Sequence, residues 1–208
     1  MENKITKLET EKIQHIWCSA QITKKMEDVL IGFICNQAQN KAGISEYIIY
    51  LSTIGGSPFC AVNLYNFIKS IPQKTTVYNM GNVASAGVTF FLGFQKRIGV
   101  PDCSFMVHQS TLPRTALPEQ FNVFDINTQK DSLIAIDEKS QKIIHKETNG
   151  KGLKNLNLSA IKKDFLKTTT YTAPKAEELG FIDKIELPKL PEAGVIYITD
   201  QYLATLQG

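Results

Sequence analysis

The 208-residue chain has no run of apolar residues approaching the length of about 18 that a membrane-spanning helix needs. Its first residues, Met1-Glu2-Asn3-Lys4, are polar and charged rather than the start of an apolar leader. A spanning helix and a secretory leader are therefore not expected, and the chain reads as cytoplasmic. Its four cysteines, Cys18, Cys35, Cys60 and Cys103, form no C-x-x-C pair and no short disulfide framework, so they read as buried free thiols in a reducing compartment. No run of Lys or Arg is interleaved with aromatics, and the net charge of +3 is slight, so a nucleic-acid groove is not implied. No sequence repeat is visible.

What the chain does have is an apolar fraction of 43% against 21% charged residues, enough for one domain with a substantial core. Its apolar pattern alternates between strand and helix. Ile13–Trp17 forms a first short strand. A helix follows from about Thr23, with Ile22, Met26, Leu30 and Phe33 on the core face and Lys24, Lys25, Glu27 and Asp28 on the other. Glu46–Leu51 is a near-continuous apolar strand, covered on both faces. After it, Ala61, Leu64, Tyr65 and Ile68 fall at helical spacing, closed by Pro72. The order β, α, β, α, β, α predicts a parallel sheet with right-handed crossovers. From Pro118 to Asn149 there is no internal breaker, and the stretch reads as one long helix with Leu133, Ile136, Ser140, Ile143 and Ile144 as its stripe. Further helices are expected over Ser159–Leu166 and Pro174–Leu179, then a strand over Phe181–Ile185. The tail from Pro188 to Gly208 reads as a Pro-spaced linker and an apolar patch.

Three stretches carry chemistry. In Met80–Gly87 one Ser stands between small residues where a strand becomes a buried helix. Gly81 and Gly87 are expected to permit a sharp turn, and Ala84 and Ala86 to leave room beside Ser85. The helix start offers unpaired N–H groups. Read alone, such a turn is more often a packing device than a nucleophile site. Gly55-Gly56, at the end of the Glu46–Leu51 strand, exposes backbone amides. Ser104–Val107 is a strand that delivers His108 at its end, where the ring is either a structural residue or a general base. His15 and His145 lack a comparable context and read as bystanders.

A Gly-Gly turn, a small-residue Ser and a strand-end His in that order resemble the Clp protease proteolytic subunit, the serine peptidase of the ClpP/crotonase superfamily. The resemblance runs from about Trp17 to Ile185. It implies repeated βαβ units with a long projecting handle helix, and a homo-oligomeric ring or double ring hydrolysing unfolded peptides, with a AAA+ unfoldase as possible partner and no cofactor or metal. The roles it implies are Ser85 as nucleophile, His108 as general base, and the amides of Gly56 and Ala86 as oxyanion donors. The family's third triad member is an acid. The register of Thr172–Asp183 puts Thr168 at its place, with Asp164 one helical turn back as the alternative. Other departures are Ile54 where the family's loop has Pro, Leu166-Lys167 where it has a charged pair, Thr111-Leu112-Pro113-Arg114 in place of a Gly-rich stretch, and few residues before the first strand. The expected organisation is a short mobile segment at 1–12, a peptidase domain at 13–187 and a tail at 188–208. Two rival functions stand beside the peptidase: a catalytically weak or silent structural subunit, for which Thr168 argues, and a crotonase-like acyl-CoA enzyme, for which no suitable acid precedes Ser85.

Overall fold

The computed structural model describes residues 12–111 and 123–206. The chain runs β1 (Lys12–Ser19), α1 (Lys24–Gln39), β2 (Ile44–Thr53), α2 (Pro58–Ser70), β3 (Lys74–Ala84), α3 (Ala86–Phe91), β4 (Lys96–Gly99) and β5 (Ser104–Val107). It continues with α4 (Val123–Thr148), α5 (Leu158–Lys167), β6 (Thr169–Thr172), α6 (Ala173–Glu178), β7 (Lys184–Ile185), β8 (Val195–Thr199) and α7 (Asp200–Thr205). The expected segment at 1–12 falls almost wholly outside the described residues, as does the start of the long helix at Pro118.

Local chemistry sets the helix starts. The Thr23 hydroxyl accepts from the Met26 N–H at 3.2 Å, the Ser57 hydroxyl from Cys60 N–H at 3.3 Å, and the Asn157 side chain from Ala160 N–H at 2.8 Å. Pro58 follows its cap at the first turn, where a missing N–H costs nothing. The inward faces of α1 and α2 bury Met26, Leu30, Ile34, Ala61, Leu64 and Ile68 against the sheet. On α3 and packed around it, Phe90, Phe91, Phe94, Phe105 and Phe181 are fully buried. Cys18, Cys60 and Cys103 are buried free thiols as expected, whereas Cys35 is exposed.

One eight-stranded sheet organises the fold, in the order β6-β5-β3-β2-β1-β8, with β4 paired to β3 and β7. All pairings are parallel except β5 with β6. β3 serves two neighbours in succession. Its residues Thr76–Asn79 pair with β4, and Asn82–Ala84 pair with β5. The fully buried Asn79 stitches this split: its amide donates to Ser104 O at 2.8 Å and its side-chain oxygen accepts from Gly81 N–H at 3.0 Å. The second half of β3 thus lies beside β5, and the two strands deliver Ser85 and His108 side by side.

Several expectations need correction. Gly81 makes no turn: it lies inside β3, in an irregular stretch where the register with β2 shifts. Glu27 is buried, held by Lys24 at 3.1 Å on a face that the charge pattern assigned to solvent. The strand expected over Phe181–Ile185 is only two residues long. The sheet is not wholly parallel, because β6, which follows α4 and α5 in the chain, pairs antiparallel with β5. In the tail the Pro-spaced stretch before Val195 has no regular structure, but the apolar patch is ordered into two elements: β8 extends the sheet beside β1, and the Asp200 carboxylate at the start of α7 accepts from Gln21 N–H at 3.0 Å. In α4 the buried set is Ile136, Asp137, Ser140, Gln141, Ile143, Ile144, Glu147 and Thr148, all in its second half. The first half stands off the globule, with Val123, Phe124, Ile126 and Ile134 between 48% and 76% exposed. No helix of the described residues is long and apolar enough to cross a membrane.

Candidate active site

Ser85 sits at the junction of β3 and α3 with φ 57° and ψ −128°, a conformation that L residues rarely adopt. The position is held from both sides: Ser85 N–H donates to Met106 O at 2.7 Å, and Ser85 O accepts from Val88 N–H at 3.1 Å. A backbone turned this way lifts the hydroxyl out of the sheet rather than into the core, and Ser85 is half-buried. Gly87, the second residue of α3, is needed for close approach, since a methyl there would meet Thr53 Cγ2 at 2.5 Å.

The Gly-Gly loop is shaped by contact. A methyl on Gly56 would lie 2.2 Å from Ile22 O, and Gly56 has φ 142°. Around it Ile22 N–H donates to Gly55 O at 2.7 Å and Ser57 N–H to Ile22 O at 2.8 Å. Those bonds tie the loop to the segment between β1 and α1. Neither the Gly56 N–H nor the Ala86 N–H donates to any group among the described residues, which leaves both free for a ligand. Gly56, Ser85, Ala86 and His108 line one cavity of about 70 Å³, so the residues singled out from three separate stretches meet at one place.

Thr168 and Asp164 do not line that cavity. Thr168 caps α5 in the left-handed region, with φ 53°, and is exposed. The antiparallel register of β5 with β6 pairs Phe105 with Tyr171, Met106 with Thr170 and Val107 with Thr169. One step further along the same register sets 108 opposite 168. Asp164 is engaged elsewhere: its carboxylate accepts from the Tyr171 hydroxyl at 2.7 Å and the Thr169 hydroxyl at 3.4 Å. Burial and that carboxylate together raise the Tyr171 pKa well above the ordinary phenol value.

The model of the Clp protease family matches residues 3–188. The chain belongs to the Clp protease family. Among its curated relatives is the ATP-dependent Clp protease proteolytic subunit 3 of Rhodococcus jostii (strain RHA1), 25% identical over 79% of this chain and 78% of the relative. The ATP-dependent Clp protease proteolytic subunit of Chlorella vulgaris is 24% identical over 79% of this chain and 77% of its own length. A ClpP1 mutant from Listeria monocytogenes shares the fold, with a TM-score of 0.69 at 18% identity over 85% of this chain and 92% of that one. The family is one of serine peptidases, so of the two chemistries weighed above, peptide hydrolysis rather than acyl-CoA chemistry is the family's own.

Within this Clp protease fold the remaining histidines have structural surroundings. His15 Nδ1 lies 2.9 Å from the Tyr50 hydroxyl and its ring stacks on Tyr50, while His145 Nδ1 lies 3.0 Å from Leu156 O. Burial lowers the His15 pKa against the pull of Glu46. The cavity wall also includes residues that sequence reasoning did not assign to the site, among them Asp137 and Ser140 on α4. The signal was present: both fall in phase with Leu133, Ile136, Ile143 and Ile144, where a core-facing stripe should hold no polar group.

Proposed function

We propose that this Clp protease family member hydrolyses unfolded peptides by acyl transfer at Ser85. His108 takes the hydroxyl proton as the bond to the scissile carbonyl forms, and returns it to the leaving amine. The N–H groups of Gly56 and Ala86 receive the oxyanion, Ala86 being the residue directly after the nucleophile. Water then repeats the sequence in reverse to release the acid. The observation that carries this reading is the shared cavity: a strained Ser85, His108 and two unpaired amides open onto one space. Thr168 is assigned to His108 as orienter, supported by the register of β5 and β6.

Assembly into a homo-oligomeric ring or double ring in the cytoplasm belongs to the same reading. The apolar groups that α4 leaves uncovered, Val123, Phe124, Ile126 and Ile134, are the ones such an assembly would bury, since Ile136 and Ile143 are already packed within their own chain. A AAA+ unfoldase is the partner that would feed unfolded chains to the ring. The test joins three measurements on one sample: mass by light scattering, turnover of fluorogenic peptides, and labelling by a fluorophosphonate. An oligomer that is labelled and active, with both signals lost in Ser85→Ala, is expected. A second reading, a silent subunit completing a ring with an active paralogue, is favoured by one observation, the neutral Thr168 in the place of an acid. Assembly without labelling or turnover would establish it, and a 23 kDa monomer would overturn the ring.

A further inference from the structure

We infer that the cavity beside Ser85 is a specificity subsite for a cationic side chain, with Asp137 as its counter-charge, so that the peptidase cleaves after Lys or Arg. The inference rests on the reading of Ser85 as nucleophile and adds the class of substrate. Asp137 lies on the second half of α4 and is 9% exposed, and it lines the same cavity as Ser85 and His108. Among the described residues its two carboxylate oxygens share a single donor, the Ser110 N–H, at 3.0 and 3.2 Å. A carboxylate has about four acceptor sites, and one neutral N–H leaves most of them unused. None of the ion pairs among the described residues involves Asp137. Burying an ionised carboxylate with so little compensation is costly unless something positive arrives.

The rest of the wall suits a basic side chain. Ser140, one turn along α4 from Asp137, supplies a hydroxyl that accepts from an ammonium or guanidinium, and Phe165 supplies an apolar face for the methylene stem. The Ser110 contact fixes the carboxylate against the segment that follows His108, two residues away from the base. A substrate whose scissile carbonyl sits at Ser85 would therefore carry its acyl-side residue toward Asp137. The same charge rejects an acidic residue at that position.

Asp137→Asn tests the charge alone, because the amide oxygen still accepts from the Ser110 N–H. Peptides differing only in the acyl-side residue, Lys, Arg, Leu or Glu, are compared by kcat/KM on the full oligomer. Wild type should prefer Lys and Arg, and in the variant the ratio of kcat/KM for the Lys or Arg peptide to that for the Leu peptide should fall by about 30-fold or more. Faster cleavage of the Leu peptide by wild type, or an equal loss on all four peptides in the variant, would overturn the inference and make Asp137 a support for the Ser110 segment. A second readout needs no turnover: calorimetry of protonated n-butylamine binding to wild type, Ser85→Ala and Asp137→Asn. Binding to the first two and loss in the third supports the subsite even if no peptide is cleaved, in which case the peptidase reading alone has failed. No binding to any of the three, together with no preference for Lys or Arg, removes the subsite.

Discussion

A methyl group on Gly55 would lie 2.6 Å from the Ser85 Cβ and 2.7 Å from Ala84 O. The loop from β2 and the turn from β3 are thus in contact without clearance, and Gly55 also has φ 94°. Gly55→Ala must push the two turns apart or strain the backbone, and the atoms that would have to move are backbone and the Ser85 Cβ. Expected is a fall in peptidase turnover of about 100-fold or more, because a displacement of about 1 Å is enough to misalign attack. Circular dichroism should still report a folded chain. Normal turnover in the folded variant would show that the Gly-Gly loop does not position Ser85.

Ser85 itself stores strain. A residue with a Cβ at φ 57° and ψ −128° costs about 1 to 3 kcal/mol relative to a relaxed conformation. Ser85→Gly removes that cost in the folded state but adds freedom to the unfolded chain. The first effect is the larger, so the variant should be inactive yet more stable by about 1 kcal/mol. Ser85→Ala keeps the Cβ and should match wild type in denaturant midpoint. If Ser85→Gly is the less stable of the two, the turn is not strained in the way its dihedrals imply.

How far the sequence could be read depended on whether the deciding interaction was local. Met26 and Leu30 on α1, or Ala61, Leu64 and Ile68 on α2, announce themselves by spacing, and all are buried. A Gly between strand and helix signals a turn, but at Gly81 the strand continues through an irregular stretch as β3 exchanges β4 for β5. Nothing near Gly81 in sequence announces that exchange. Glu27 looked like a solvent residue until α2 was laid across it, with Asn63 at 3.5 Å from its carboxylate. The tail became β8 only through β1, nearly the whole chain away. At the site, Ser85, Gly56 and His108 stood out by local pattern. Asp137 is legible only as a polar residue in phase with the apolar stripe of α4, and which site it lines is set by the docking of the helix.

Glu147 gives the fold a pH dependence with a definite sign. It is buried, and its carboxylate accepts from the Tyr65 hydroxyl at 2.7 Å and from Lys69 Nζ at 2.9 Å. Its backbone carbonyl accepts from Arg97, a guanidinium with no solvent exposure. Burial works to raise the Glu147 pKa, but Lys69 and Tyr65 outweigh it and hold the carboxyl below its ordinary value. A depressed folded-state pKa contributes stability that is complete above the unfolded value, about 4.3, and is lost as pH falls through the folded value. Wild type should therefore lose stability on acidification below about pH 4.3, and Glu147→Gln should lose less over that range. At neutral pH the variant should be less stable by about 1 to 3 kcal/mol, a modest figure because Lys69 is partly exposed. Parallel denaturation curves for the two proteins from pH 7 down to pH 3 would contradict this.

The last prediction separates Thr168 from Asp164. A neutral hydroxyl opposite His108 can fix the tautomer of the ring but cannot stabilise the imidazolium that forms as the proton is taken. Thr168→Asp supplies that charge. Asp tolerates the left-handed backbone that Thr168 occupies, at φ 53°, better than Thr does, and the position is exposed, so the fold should accept the change. Turnover should rise, by up to about 10² to 10⁴ if the new carboxylate aligns with the ring. Thr168→Val, without the hydroxyl, should lower it. Asp164 should behave as a structural residue, because its carboxylate already receives the Tyr171 and Thr169 hydroxyls. Asp164→Asn is thus expected to lower the melting temperature with little change in kcat per folded site. The reverse pattern, a collapse of kcat in Asp164→Asn and indifference to both Thr168 variants, would make Asp164 the third member and require α5 to rearrange when substrate binds. One peptide substrate, assayed with all three variants beside thermal denaturation of each, separates the two outcomes.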